Sequence, residues 1–342
     1  MTRTYSDENM IQRIDYIDNA KAIGIFLVVL AHTPIESEIT NWIYVFHMPL
    51  FFFLSGFIFD FQRYPSLSGF IRRRFRQLLI PYFLINLLTY LLWLFVFRHY
   101  GADSDIEIAW YQPLIGFMLG NGNQMIHNVP LWFLLCLFIV EVVFYFAFQK
   151  SSLKKVLFGT ALFAVIGYLN YTINPYLLPF SLGSAFVGLT FYGIGYICAH
   201  THLLKSQIIW CILSFIITVV IAHYNGRINM HINYYGHYLL FLIGALTGIY
   251  MVICFSNYFV SFGNTSLVSF IGKNTLLICG FHLMTFSLIK GVLVFVFHFN
   301  MQLLEQQIIG NLLFAILSIL LCCVLISAYH KGKILINYMR DK

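Results

Sequence analysis

A lysine and a histidine near the N-terminus have the types and spacing that acid–base chemistry inside a membrane would need. Lys21 and His32 are eleven residues apart, so on an α-helix they differ in direction by about 20° and lie about 16 Å apart along the axis. Asp18 falls on nearly the same face. The apolar stretch 22–31 is too short to cross a bilayer core of about 30 Å. A polar stripe therefore lines a cavity, unless Lys21 snorkels to the headgroups and His32 lies at the interface.

Two further histidines lie inside apolar segments. His47 precedes Pro49, and we expect it near the depth of His32, where the two meet across one cavity or His47 simply has a backbone partner. His282 is the histidine placed nearest mid-membrane. It either lines a cavity or forms a hydrogen bond in the core. Both interpretations remain open for each residue.

Four arginines within five residues form the densest positive charge in the chain, and they are Arg72, Arg73, Arg74 and Arg76. Arginine binds phosphate through two parallel hydrogen bonds. We expect the cluster to begin a helix whose N-terminal amides also favour anions. The pattern suits a phosphate-rich ligand such as coenzyme A or a nucleotide, and the alternative is a topology anchor that touches anionic lipid.

Glu141 is a single carboxylate in an otherwise apolar segment. A membrane carboxylate needs a cationic partner or a proton. Lys21 and the arginine cluster are the candidates for that partner. A packing ion pair and a chemical role both remain open.

Composition places all of these groups in a membrane protein. The 342 residues are 60% hydrophobic and only 10% charged, against about 25% charged residues in soluble domains. These values exclude disordered, collagenous, coiled-coil and disulfide-rich secreted classes. The seven cysteines lack the paired spacing of a zinc or redox motif, and no cleavable signal peptide is expected.

Ten membrane-spanning helices are predicted from the length that a bilayer requires. They lie at about 16–34, 41–61, 76–97, 131–148, 153–172, 183–200, 206–223, 237–256, 274–297 and 307–329. With both termini in the cytoplasm, 17 of the 20 lysines and arginines lie on or near that side. The predicted organisation is a polar cytoplasmic tail (1–15), an all-helical membrane domain (16–330) and a basic cytoplasmic tail (331–342).

Five short motifs follow one another along the predicted spans. They are 16–21 (YIDNAK) leading to His32, 49–57 (PLFFFLSGF), the arginine-rich link ending in 78–82 (LLIPY), 131–134 (LWFL) leading to Glu141, and 271–275 (IGKNT) before His282. In this order they resemble the membrane-bound acyltransferase family 3, and within it the fucose 4-O-acetylase-like branch. The resemblance extends over about residues 14–330.

The resemblance implies transfer of an acyl group, usually acetyl, from cytoplasmic acetyl-CoA to a sugar hydroxyl across the membrane. By position, His32 is the catalytic histidine, Lys21 is its basic partner, and the arginines contact the coenzyme. The supporting positions are Asp18, His47, Ser55, Trp132, Glu141 and His282. Two departures from the family pattern are Lys21, where arginine is common, and Gln77, where a basic residue is common.

The implied partners are membrane lipid, acetyl-CoA and a polysaccharide or its lipid-linked precursor, with a polysaccharide assembly complex as a further partner. No metal and no nucleic acid are implied. The expected location is the cytoplasmic (inner) membrane of a bacterium. The alternatives are a transporter or flippase for lipid-linked sugars without acyl transfer, and a structural subunit of the assembly complex.

Overall fold

The fold is helical throughout the part of the chain that the structure describes. This computed structural model describes residues 5–100, 107–120, 124–174, 176–201, 203–260 and 266–340. Within those ranges there is no β-strand, and the extended pairing is one isolated bridge between Asn229 and Tyr234. The predicted all-helical class is therefore confirmed.

Fifteen α-helices follow one another in these ranges. They are α1 (Tyr5–Ala31), α2 (Ser37–Phe57), α3 (Leu67–Arg74), α4 (Ile80–Leu92), α5 (Arg98–Tyr100), α6 (Gln112–Leu119), α7 (Trp132–Phe148), α8 (Leu153–Ile173), α9 (Leu182–Thr201), α10 (Ile208–Asn225), α11 (Tyr238–Val260), α12 (Ser266–Lys273), α13 (Thr275–Gly291), α14 (Gln302–Glu305) and α15 (Ile308–Arg340). π-Helical turns at 75–79, 93–97 and 292–296 continue α3, α4 and α13.

Eight helical segments in the described ranges are long and apolar enough to cross a membrane. They correspond to the third to tenth predicted spans. The two other predicted spans coincide with α1 and α2, which are 27 and 21 residues long. The protein is thus a multi-pass membrane protein.

The chain divides into two compact units. The first unit comprises residues 1–40 and 259–342, and the second comprises 41–258. The terminal helices of the first unit are longer than predicted, since α1 begins at Tyr5 and α15 continues to Arg340. The polar residues in those extensions are compatible with helix, so the helix does not end where the apolar pattern ends.

Close packing in the first unit fixes the middle of α1 against α12. A Cβ atom at Gly272 would overlap the carbonyl oxygen of Asp18, so glycine allows the two backbones to approach closely. The segment 266–273 lies between two predicted spans, 237–256 and 274–297. It forms the helix α12, which packs against the part of α1 that carries Asp18.

In the second unit, the helix that carries the arginines begins earlier than the sequence suggests. Ser66 caps α3, and its hydroxyl accepts a hydrogen bond from the amide of Gly69. The arginines consequently occupy the end of α3 and the π-helical turn that follows. The expectation that the cluster begins a helix is wrong, because α3 begins five residues before Arg72.

Candidate active site

The first unit brings together two of the predicted histidines. His32 directly follows α1, His282 lies in α13, and their ring centroids are 5.1 Å apart with an interplanar angle of 69°. His282 is completely buried and His32 is half-buried. An edge-to-face pair of imidazoles therefore lies inside a helical unit, and one member retains exposure.

Both rings are held in the same tautomer by backbone carbonyl groups. The Nδ1 of His32 lies 2.7 Å from the oxygen of Val28, and that of His282 lies 2.9 Å from the oxygen of Cys279. A carbonyl oxygen only accepts, so each Nδ1 carries a proton. In the neutral ring, the lone pair is then on Nε2. Within the described ranges, the buried Nε2 of His282 has no hydrogen-bond partner.

Hydroxyl groups on α13 and α15 fix the helix that carries His282. Thr285 Oγ1 lies 2.8 Å from the carbonyl oxygen of His282 and 2.6 Å from Ser318 Oγ. Thr285 and Ser318 are fully buried. These short contacts link α13 to α15 one turn from the histidine pair, which restricts the freedom of the His282 ring.

The predicted stripe on α1 retains its geometry because the helix is uninterrupted through Ala31. Lys21 is half-buried, and His32 follows on the same face, about 16 Å further along the axis. Asp18 is buried, and its Oδ2 lies 3.9 Å from Nζ of Lys273. Asp18 therefore contacts α12 as well as the stripe, while Lys21 remains the basic group of this face.

The second unit pairs Glu141 with Arg74. The Nε of Arg74 lies 2.9 Å from Oε2 of Glu141, and the two side chains are 19% and 4% exposed. Arg74 also donates a hydrogen bond to Gln77, and its guanidinium lies 5.5 Å from the ring centroids of Tyr64 and Phe70. Arg74 is thus held inward by a buried carboxylate and two aromatic rings.

The other three arginines point to an open groove. Arg72, Arg73 and Arg76 line it together with Gly69 and Gln77, and its volume is about 310 Å³. All three are exposed. The wide π-helical turn at 75–79 falls just before Pro81, whose ring would crowd the carbonyl four residues earlier in a regular helix. Arg76 follows Arg72 by four residues and therefore lies on the same side of the helix.

The aromatic support of the arginine-lined groove was not recognised from the sequence. The ring of Tyr145 stacks on Phe70 with centroids 4.6 Å apart, and its hydroxyl donates to the carbonyl oxygen of Tyr64. Both rings that face Arg74 are therefore held by α7, the helix that carries Glu141. Glu141 and Tyr145 are one helical turn apart, and this spacing could have indicated that both side chains face the arginine helix.

The remaining predicted residues of the second unit lie in separate surroundings. His47 is buried, and its Nδ1 donates to the oxygen of Ile43 while its ring contacts Tyr44. Trp132 is buried with its ring 6.5 Å from that of His231. Ser55 is half-buried in α2. Their proposed supporting roles remain predictions.

A half-buried histidine in the connection 107–130 was also missed. His127 Nε2 lies 3.2 Å from Asn86 Oδ1, and Asn128 donates to Thr89. Burial lowers the pKa of His127 to about 4, against the smaller opposing effect of the Asn86 bond. His127 is therefore neutral near pH 7 and links this connection to α4.

The described part of this membrane protein is helical and contains a pair of imidazoles and a surface groove lined by arginines. These features are typical of a membrane-bound group-transfer enzyme. The family described as acyltransferase domain, acyltransferase 3, matches residues 14–328. The match covers most of the chain, so the protein belongs to this family and is an integral membrane acyltransferase. No curated protein and no solved structure matches the sequence. The assignment favours acyl transfer over the flippase alternative.

Proposed function

We propose that the protein transfers an acetyl group from acetyl-CoA to a hydroxyl of a cell-surface polysaccharide or its lipid-linked precursor. The observation that carries the proposal is the imidazole pair of His32 and His282, with both Nδ1 atoms bonded to carbonyl groups. The proposed location is the cytoplasmic membrane of a bacterium, with the donor on the cytoplasmic side. A polysaccharide assembly complex is the proposed source of the acceptor.

His32 is the proposed catalytic base because it is partly exposed and its Nε2 has no hydrogen-bond partner among the described residues. In direct transfer, Nε2 removes the proton of the acceptor hydroxyl while its oxygen attacks the thioester carbonyl. The carbon–sulfur bond breaks, and the thiolate of coenzyme A takes up a proton. In the alternative route, Nε2 attacks the thioester first and the acetyl group passes through His32. Both routes require the same lone pair.

His282 is the proposed positioning residue for His32. The buried Nε2 of His282, in the ring beside His32, has no hydrogen-bond partner among the described residues. We propose that it accepts a hydrogen bond from His32 when that ring becomes protonated during the reaction. A hydrogen bond to a charged group is worth about 1.5–3 kcal/mol. Lys21 is proposed to hold the donor along the α1 stripe, with Asp18 as a supporting residue.

Replacing His282 is expected to lower kcat without changing the KM for acetyl-CoA. His282→Leu should lower kcat by about ten- to a hundredfold, and His282→Gln should restore part of the loss because Oε1 replaces the acceptor at Nε2. Steady-state kinetics on detergent-purified protein test this. Equal losses in both variants, or a KM that rises with them, would show that His282 only packs the helix.

The groove arginines are proposed to bind the phosphates of coenzyme A. Arg73→Ala and Arg76→Ala should each raise the KM for acetyl-CoA about tenfold, because each removes a charge-assisted hydrogen bond, with kcat nearly unchanged. Arg63→Ala is the matched control, since Arg63 is exposed at its pair with Asp60 and does not line the groove. An equal rise in the control would contradict donor binding in the groove.

The proposed function itself is tested with purified protein, radiolabelled acetyl-CoA and a panel of glycans and lipid-linked glycans. Label in the glycan that is released by mild alkali identifies an O-acetyl ester. Transfer from another acyl-CoA in preference to acetyl-CoA would correct the donor. A complete lack of transfer with every donor and acceptor, from protein that remains folded, would count against the proposal.

A further inference from the structure

A second groove lies in the second unit, between α10 and α11. Its volume is about 450 Å³. The residues that define it are Lys205, Trp210, Ser214, Leu246, Thr247 and Tyr250. None of them belongs to the arginine-lined groove or to the histidine pair, so this groove has no part in the proposed reaction.

The link 203–207 at the mouth of this groove is fixed by side chains of α11. The hydroxyl of Tyr250 donates to the carbonyl oxygen of Lys205 at 2.7 Å, and the amide of Asn257 donates to Ser206 Oγ at 2.6 Å. These two bonds hold Lys205 and Ser206, the two residues of one peptide bond, against α11. The Lys205 side chain therefore starts from a fixed backbone at the end of the groove.

The charge at this mouth is positive and has no counter-ion among the residues that the structure describes. Lys205 is exposed, and it takes part in none of the ion pairs found in the described ranges. The sequence contains no aspartate or glutamate between Glu141 and Glu305. Lys205 therefore lies in a long stretch of sequence without acidic residues, and an anion that is not part of the chain can serve as its counter-ion.

The groove combines an exposed aromatic ring, hydroxyl groups and an apolar wall. Trp210, which is 56% exposed, lies near its mouth, and tryptophan prefers the interface between headgroups and hydrocarbon. Ser214, one turn deeper in α10, lies on the same face. The hydroxyl groups of Thr218 and Thr247 are 3.0 Å apart behind it, and Leu246 provides an apolar wall.

We propose that this groove binds an anionic phospholipid, with the phosphate at Lys205 and the glycerol region beside Trp210 and Thr247. Charge complementarity selects the headgroup, because a lysine near a membrane surface attracts anionic lipid by about 1 kcal/mol. Leu213 and Ile217 are exposed apolar residues of α10 on the side nearest Trp210 and Ser214, and they continue the path of the acyl chain. The site is independent of the proposed acetyl transfer.

Native mass spectrometry of the detergent-purified protein tests the site with two probes, dioleoyl phosphatidylglycerol and dioleoyl phosphatidylcholine. We expect tight binding of phosphatidylglycerol that Lys205→Gln weakens about fivefold, while Lys205→Arg retains it and phosphatidylcholine binding does not change. Lys154→Gln is the matched control, since Lys154 is an exposed lysine at the start of α8.

Four results would overturn the proposal. If Lys205→Gln binds phosphatidylglycerol as tightly as the unmodified protein does, Lys205 has no role in binding. An equal loss of phosphatidylglycerol binding in Lys154→Gln would show that the effect comes from general surface charge. Release of the lipid by inorganic phosphate at equal concentration would identify a free phosphate site. A dimer that dissociates on Thr247→Trp, with phosphatidylglycerol binding unchanged, would assign the groove to a second copy of the chain.

Discussion

His32→Asn should abolish most of the proposed acetyl transfer while the protein remains folded. The asparagine Nδ2 can still donate to the carbonyl of Val28, as Nδ1 of the histidine does, but no atom replaces the lone pair on Nε2. General base catalysis contributes about 10²–10⁴-fold to a rate. We therefore expect kcat to fall by about that factor, with the KM for acetyl-CoA little changed.

The measurement is transfer of radiolabel from acetyl-CoA to glycan, with His223→Asn as the matched control because His223 is exposed. Thermal unfolding in detergent verifies that both variants fold. A His32→Asn rate within twofold of the unmodified rate would remove His32 from the mechanism. Incubation without acceptor separates the two routes, since acetyl transfer through His32 leaves label on the unmodified protein and none on His32→Asn.

Glu141→Ala should strongly destabilise the folded protein. It would leave Arg74 without the carboxylate that lies 2.9 Å from its Nε. Breaking a buried ion pair costs about 3–5 kcal/mol, because the remaining charge is buried and unpaired. Arg74→Leu combined with Glu141→Leu should recover much of that loss, since both charges are removed together.

Lys290 and Glu305 provide a control pair in the same chain. Their charged atoms are 2.7 Å apart, but the side chains are 42% and 31% exposed, so Glu305→Ala should cost less than about 1 kcal/mol. Thermal unfolding of the purified variants compares the two pairs. Equal losses for Glu141→Ala and Glu305→Ala would show that burial does not determine the stability of the Arg74 pair.

The loss of Glu141 is also expected to affect the donor through Arg74. This arginine contacts Tyr64 and Phe70 and precedes the π-helical turn that bears Arg76. In Glu141→Gln, where Oε1 can still accept from Arg74, the KM for acetyl-CoA should rise less than in Arg76→Ala. This comparison separates the arginine that supports the groove from the arginines that line it.

Local features of the site followed from the sequence because they depend on residues close in the chain. The common face of Lys21 and His32 requires only a continuous α1, and the need of Glu141 for a cation follows from the cost of burying a charge. The start of α3 was predicted wrongly because the apolar pattern outweighed the capping signal of Ser66.

The amino-acid sequence was sufficient to identify a multi-pass helical membrane protein with His32 on a polar stripe, because bilayer thickness and helix periodicity act on consecutive residues. The packed helices were needed to show that His282 is the ring beside His32, and that Arg74 rather than its neighbours contacts Glu141. The members of each pair lie far apart in the chain. Their meeting depends on how the helices that carry them pack, which no local pattern specifies.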